Sequence, residues 1–75
     1  MLAYILVTLS EKTEEKVKEK LKKMPEVREA HVVFGEWDII LKVEVESPEA
    51  LSTFIIDKVR AMKDIKFTST LIVAA

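Results

Sequence analysis

Met24-Pro25-Glu26-Val27-Arg28-Glu29-Ala30 and Met62-Lys63-Asp64-Ile65-Lys66-Phe67-Thr68 are one phrase written twice, 38 positions apart. Each is a methionine that ends a helical stripe followed by a β-branched residue that opens a strand. Ser10 and Ser47, each placed to open a helix, stand 37 apart. The chain therefore reads as two copies of a strand–helix–strand unit, with no linker or low-complexity stretch between them. Two such units folded together give a four-stranded antiparallel sheet with both helices on one face. This is the α+β, ferredoxin-like βαββαβ arrangement, a single domain over residues 1–75.

The hydrophobic periods agree. Leu2 to Leu9 is aliphatic on both alternating faces, as a central strand is. Val17, Leu21 and Met24 fall at helical spacing. Acids (Glu11, Glu14, Glu15) lead that segment and lysines close it, complementing the helix dipole. Pro25 ends it. Ala30 and Val32 then alternate with His31 and Val33, and Ile39, Leu41, Val43 and Val45 with Lys42, Glu44 and Glu46, an antiparallel hairpin turning at Gly35-Glu36-Trp37. Ser47-Pro48-Glu49 is a helix start with a capping hydroxyl and proline at the first helical position. Leu51, Phe54, Ile55, Val59 and Met62 make its buried stripe. The spacing predicts strands over 2–9, 27–35, 38–46 and 66–73, and helices over 11–24 and 48–62.

Two helices cover one face of such a sheet, and the other face should then be polar in a monomer. Here Leu2, Tyr4 and Leu6 oppose Ala3, Ile5, Val7 and Leu9 in the first strand, and Val32, Val33, Phe34, Leu71, Ile72 and Val73 add apolar surface in the second and fourth. A domain of 75 residues buries only about 60% of its unfolded surface. Disulfides or a His/Cys metal site are excluded by the absence of cysteine and a single histidine. Partner chains remain. Sheet-to-sheet packing of two copies about a two-fold axis, a dimeric α+β barrel, is the simplest solution.

Charge narrows the partners. Net charge is −1 with no basic stripe, which argues against direct nucleic-acid binding. The longest uncharged apolar run, Met1 to Ser10, is too short for a membrane span and lacks the marks of a signal peptide, so the expected location is cytoplasmic. Asn and Gln are absent while 33% of residues are charged, a hyperthermophile pattern.

Catalytic constellations are scarce. His31 lies mid-strand with no serine–acid partner pattern around it, and one glycine cannot build a phosphate loop. No metal or cofactor is implied. Two spots remain. In Gly35-Glu36-Trp37-Asp38, glycine supplies a positive-φ turn, the tryptophan an apolar wall and Asp38 either an anchor for an ammonium group or an ordinary turn residue. In Thr68-Ser69-Thr70, three hydroxyls sit among aliphatics, where they suit a strand or serve a ligand.

These residues resemble a known family. Pro25 to Ala30, Gly35 to Val43 with its G-x-x-D hairpin, and Thr68 to Val73 with its T-x-T opening look like the RAM domain of the Lrp/AsnC regulators, over essentially the whole chain. The resemblance implies a dimer formed through the sheets, dimers assembled into rings (commonly octamers), and an amino-acid effector bound between dimers. It implies that Asp38 pairs with the effector's α-amino group, and that Gly35, Glu36 and Trp37 with Thr68, Ser69 and Thr70 line the pocket or meet the carboxylate. Asp38→Ala is then expected to abolish binding while sparing the thermal transition. Full-length members carry a helix-turn-helix domain before the first RAM strand, where this chain begins. It is therefore similar to stand-alone RAM proteins, expected to mix with full-length regulators rather than bind DNA. The alternative is a small dimeric α+β-barrel enzyme of monooxygenase or isomerase type, with His31 and Tyr4 as its only polar candidates. An ACT-like domain lacks support because Thr8 to Glu11 holds no glycine.

Overall fold

The computed structural model describes residues 1–75 in full. In chain order it runs β1 Leu2–Leu9, α1 Glu14–Lys22, β2 Val27–Val32, β3 Ile39–Glu44, α2 Pro48–Phe54 and β4 Ile65–Ile72. α2 continues without a break into a π-helical turn, Ile55–Val59. The sheet order is β2-β3-β1-β4 with every neighbouring pair antiparallel, so β1 is central as its two-sided apolar character requires. This is the βαββαβ sheet that the doubled phrase calls for.

The repeated phrase folds twice in the same way. The Val27 N–H donates to the Met24 carbonyl and the Ile65 N–H to the Met62 carbonyl, both at 3.1 Å. In each copy the strand then bulges one residue later. Val27 and Glu29 face consecutive β3 residues, so Arg28 is the extra residue, and Ile65 and Phe67 face Leu9 and Thr8, leaving Lys66 extra. A bulge resets the alternation. That is why Val27 and Ala30, an odd number of positions apart, are both buried.

Directly paired residues share a face. Ala3, Ile5 and Val7 of β1 and Ile39, Leu41 and Val43 of β3 are fully buried on the helix side, against Val17 and Leu21 of α1 and Leu51, Phe54 and Val59. Only 13 of 75 residues are buried, a core small enough that a partner would add substantially to it. The opposite face carries Tyr4, Leu6, Ile40, Phe67 and Leu71, with Phe67 and Leu71 more than half exposed. Val32, which pairs with Ile39, shares the helix side with Ala30 as their alternation implies, and Ile72, which pairs with Ala3, lies on that side too.

Element ends moved from their expected places for identifiable reasons. Ser10 does not cap α1. Its N–H and Oγ both donate to the Asp64 carbonyl, at 2.9 and 3.2 Å, tying the end of β1 to the turn before β4. The helix starts only after Thr13, whose hydroxyl also reaches Asp64, at 3.3 Å. Ser47 does cap, accepting the Ala50 N–H at 3.1 Å. The β2–β3 connection is longer than a tight turn. It spans Val33 to Asp38 and is closed by the Val33 N–H on the Asp38 carbonyl at 2.9 Å.

Three ion pairs join the two units: Lys58–Glu26, Arg28–Glu44 and Lys42–Glu29. The Lys58 ammonium in the π-turn donates to both oxygens of Glu26, at 3.1 and 2.9 Å. That contact, helped by a backbone hydrogen bond and opposed by burial, holds the Glu26 carboxyl below its ordinary value of 4.5. Because the folded value lies below the unfolded one, the stabilisation is complete above about pH 4.5 and disappears as pH falls through the folded value. Both groups are partly exposed, so the pair contributes at most about 1 kcal/mol. Lys58→Ala is expected to melt slightly lower than the parent at pH 7, with the difference shrinking as pH falls below 4.5 and Glu26 protonates, as thermal melts across that range will read.

Candidate functional site

Asp38 is held at three points where the β2–β3 loop meets the end of β1. Its N–H donates to the Val7 carbonyl at 2.8 Å, its carbonyl accepts from Val33, and its Oδ2 accepts the Leu9 N–H at 2.8 Å. The carboxylate thereby satisfies a backbone donor that β1 would otherwise leave open. Oδ1 takes no protein hydrogen bond and is not buried, so one oxygen stays available to an outside donor.

The rest of the loop precedes Asp38 in sequence and is mostly exposed. Gly35 adopts φ 138°, the only positive φ in the chain, and a Cβ there would meet nothing within 4 Å. The glycine is needed for its backbone conformation, not for space. Trp37 is half-buried beside Asp38, while Glu36 is exposed. Phe34 is completely exposed, at 103% of its reference surface. Its place at the loop tip was not legible, because the alternation of β2 assigned it to a strand.

Thr68 lies at the same end of the sheet. Val7 has Ile39 on one side and Thr68 on the other, so the two flanking strands stand about 10 Å apart across β1. Thr70, opposite Ile5, is two residues farther along and, like Thr68, on the helix side. Ser69, opposite Leu6, points to the open face. The seven residues thus gather at and near one end of the sheet without forming a closed pocket within a protomer. The concavities of the single chain lie elsewhere, between α1 and the turn after α2, and around Glu26, Glu44 and Ala50.

The open face also has a charged flank. His31 Nε2 lies 3.1 Å from Glu29 Oε1, and Lys42 Nζ lies 3.4 Å from Glu29 Oε2. The His31 contact, then Lys42, holds the Glu29 carboxyl below its ordinary range. Arg28 pairs with Glu44 at 3.1 Å. Tyr4 pairs with Lys42 and His31 with Ile40, so both enzyme candidates share this face, but His31 is solvated and no concavity holds them together. No helix is long and apolar enough to cross a membrane.

Comparison with known proteins matches residues 2–75 to the family model described as the Lrp/AsnC ligand binding domain. A hypothetical protein from Pyrococcus horikoshii of known structure is 46% identical, covering 99% of this chain and 89% of that one with a TM-score of 0.92. An uncharacterised helix-turn-helix type transcriptional regulator from Pyrococcus furiosus is 40% identical over 60 residues, 80% of this chain. The chain spans only 40% of that relative's length. A transcriptional regulator from Neisseria meningitidis, solved as a complex with L-Met, shares the fold at a TM-score of 0.88 and 22% identity.

Proposed function

Since the chain belongs to the Lrp/AsnC family of ligand-binding domains of transcription regulators, we propose that it binds an amino acid at a site completed by neighbouring copies of itself. The observation that carries this reading is the anchored Asp38 carboxylate. One oxygen is fixed by the Leu9 N–H and the other takes no protein hydrogen bond, in the loop that also carries Trp37 and the exposed Phe34. A pre-positioned carboxylate next to apolar walls suits an α-ammonium group followed by an aliphatic or aromatic side chain. The L-Met complex of the Neisseria regulator supports the ligand class.

The effector's carboxylate meets backbone N–H groups around Gly35 and Glu36 and the hydroxyls of Thr68 and Thr70. Ser69 faces the partner sheet instead. Two copies join through the open face and the dimers close into a ring, an octamer, with Phe34 covered by a neighbour. The protein works in the cytoplasm, without catalysis and without touching DNA through these 75 residues, and it mixes with full-length regulators. The amide-free composition and the Pyrococcus relatives support a hyperthermophilic source.

Calorimetric titration with each proteinogenic amino acid, read beside mass in solution, tests the reading. Saturable binding by one or a few of them, with one site per subunit or per pair of subunits, is expected. Absence of binding by all of them would overturn it.

A further inference from the structure

A cleft of about 200 Å³ opens between α1 and the turn that joins α2 to β4, and Asp38 is not among its lining residues. Its floor is Val17 with Met24 and Met62, and its rim is Lys16, Lys20 and Lys63. Met24 and Met62 hold the same position in the doubled phrase, so the cleft lies where the two units converge. Positive charge there exceeds negative. Lys18, Arg28, Lys42 and Lys58 each pair with a glutamate, whereas none of the three rim lysines has an acidic partner. Asp64 also lines the cleft, and its carboxylate, which accepts the Thr13 hydroxyl through Oδ2, offsets one of the three lysines and leaves the lining net positive.

Compensation of a helix dipole accounts for only part of this. Lys20 lies in the last turn of α1, where a cation offsets the open carbonyls. Lys16 lies a turn earlier and Lys63 outside any helix. Three ammonium groups against one carboxylate give the lining a net positive charge, which would attract a compact anion more strongly than a zwitterionic amino acid of zero net charge. The volume is below that of a typical drug-sized site, which restricts the occupant to a compact molecule.

We propose that this cleft binds a small organic carboxylate lacking an amino group, its apolar body on Met24 and Met62 and its charge among Lys16, Lys20 and Lys63. The proposal stands whether or not an amino acid binds near Asp38.

The test is an NMR titration of the intact protein with phenylacetate, following the Met24 and Met62 methyl signals. Saturable shifts of both are expected, and the neutral phenylacetamide should leave them unmoved. Lys16→Ala/Lys20→Ala should weaken binding by about tenfold. Lys12→Ala/Lys22→Ala removes the same charge outside the cleft and should change affinity by less than about twofold. Unmoved methyl signals, equal response to phenylacetamide, or equal weakening by the two double variants would each overturn the proposal, the last by reducing it to general charge attraction.

Discussion

Leu6→Lys is expected to reduce the assembly to single subunits of 8.6 kDa, with a markedly lower melting temperature. Leu6 sits at the middle of the central strand on the uncovered face, between Ile40 of β3 and Ser69 of β4. Tyr4 with Leu71 and Thr8 with Phe67 flank it along the sheet. Covering leucine and phenylalanine side chains stabilises a complex by about 1.5–3 kcal/mol each before ordering costs. A lysine at this position withdraws that gain and demands desolvation of an ammonium group, several kcal/mol per ion. A two-fold axis places the change twice in one interface. A combined loss of about 4 kcal/mol or more raises the dissociation constant by about a thousandfold. Light scattering across a micromolar dilution series reads the mass, and Thr53→Lys, on the exposed side of α2, serves as the control that should stay assembled. An assembly of undiminished mass in Leu6→Lys would show that the sheets do not meet.

The order and faces of the elements were legible because they rest on local signals. The doubled methionine phrase, the capping Ser47 and the alternation of Ile39, Leu41 and Val43 each act over a few residues, and each is realised. What was not legible is what distant residues decide. Ser10 looks like a helix cap from its neighbours alone, yet Asp64, 54 positions away, takes its hydrogen bonds and delays α1 to Glu14. The bulges at Arg28 and Lys66 depend on pairing with β3 and β1, and no periodicity within one strand announces them.

The candidate site divides in the same way. Gly35 was marked by its type, since a lone glycine before an aromatic and an acid signals a special backbone angle, and it has one. Asp38 left two readings open in the sequence, turn residue or ligand anchor. Its two oxygens allow both at once, because Oδ2 serves the Leu9 N–H and Oδ1 does not. The three hydroxyls of β4 looked like one group, but strand alternation sends Ser69 to the open face and Thr68 and Thr70 to the other. The lysines of α1 read as complements to its helix dipole. Only the approach of Lys63 and Met62 from the second unit makes part of that helix's surface concave.

That double duty of Asp38 fixes what its variants should do. Asp38→Asn keeps an oxygen that can accept from Leu9 and removes the negative charge, so the fold should persist while effector binding falls. A hydrogen bond to a charged group contributes about 1.5–3 kcal/mol, which corresponds to a loss of about 10- to 150-fold in affinity. Asp38→Ala should lose binding to at least the same degree and also leave the Leu9 N–H without its 2.8 Å acceptor. An unsatisfied, partly buried donor costs about 1–3 kcal/mol, so the alanine variant should melt lower than the asparagine variant rather than spare the thermal transition. Calorimetry with the effector and thermal melts of the parent and both variants give the two axes needed. Should Asp38→Asn bind as tightly as the parent, the carboxylate is only a clasp on β1 and the ammonium must be held elsewhere. Should the two variants melt together below the parent, the charge itself rather than the Leu9 contact holds the loop.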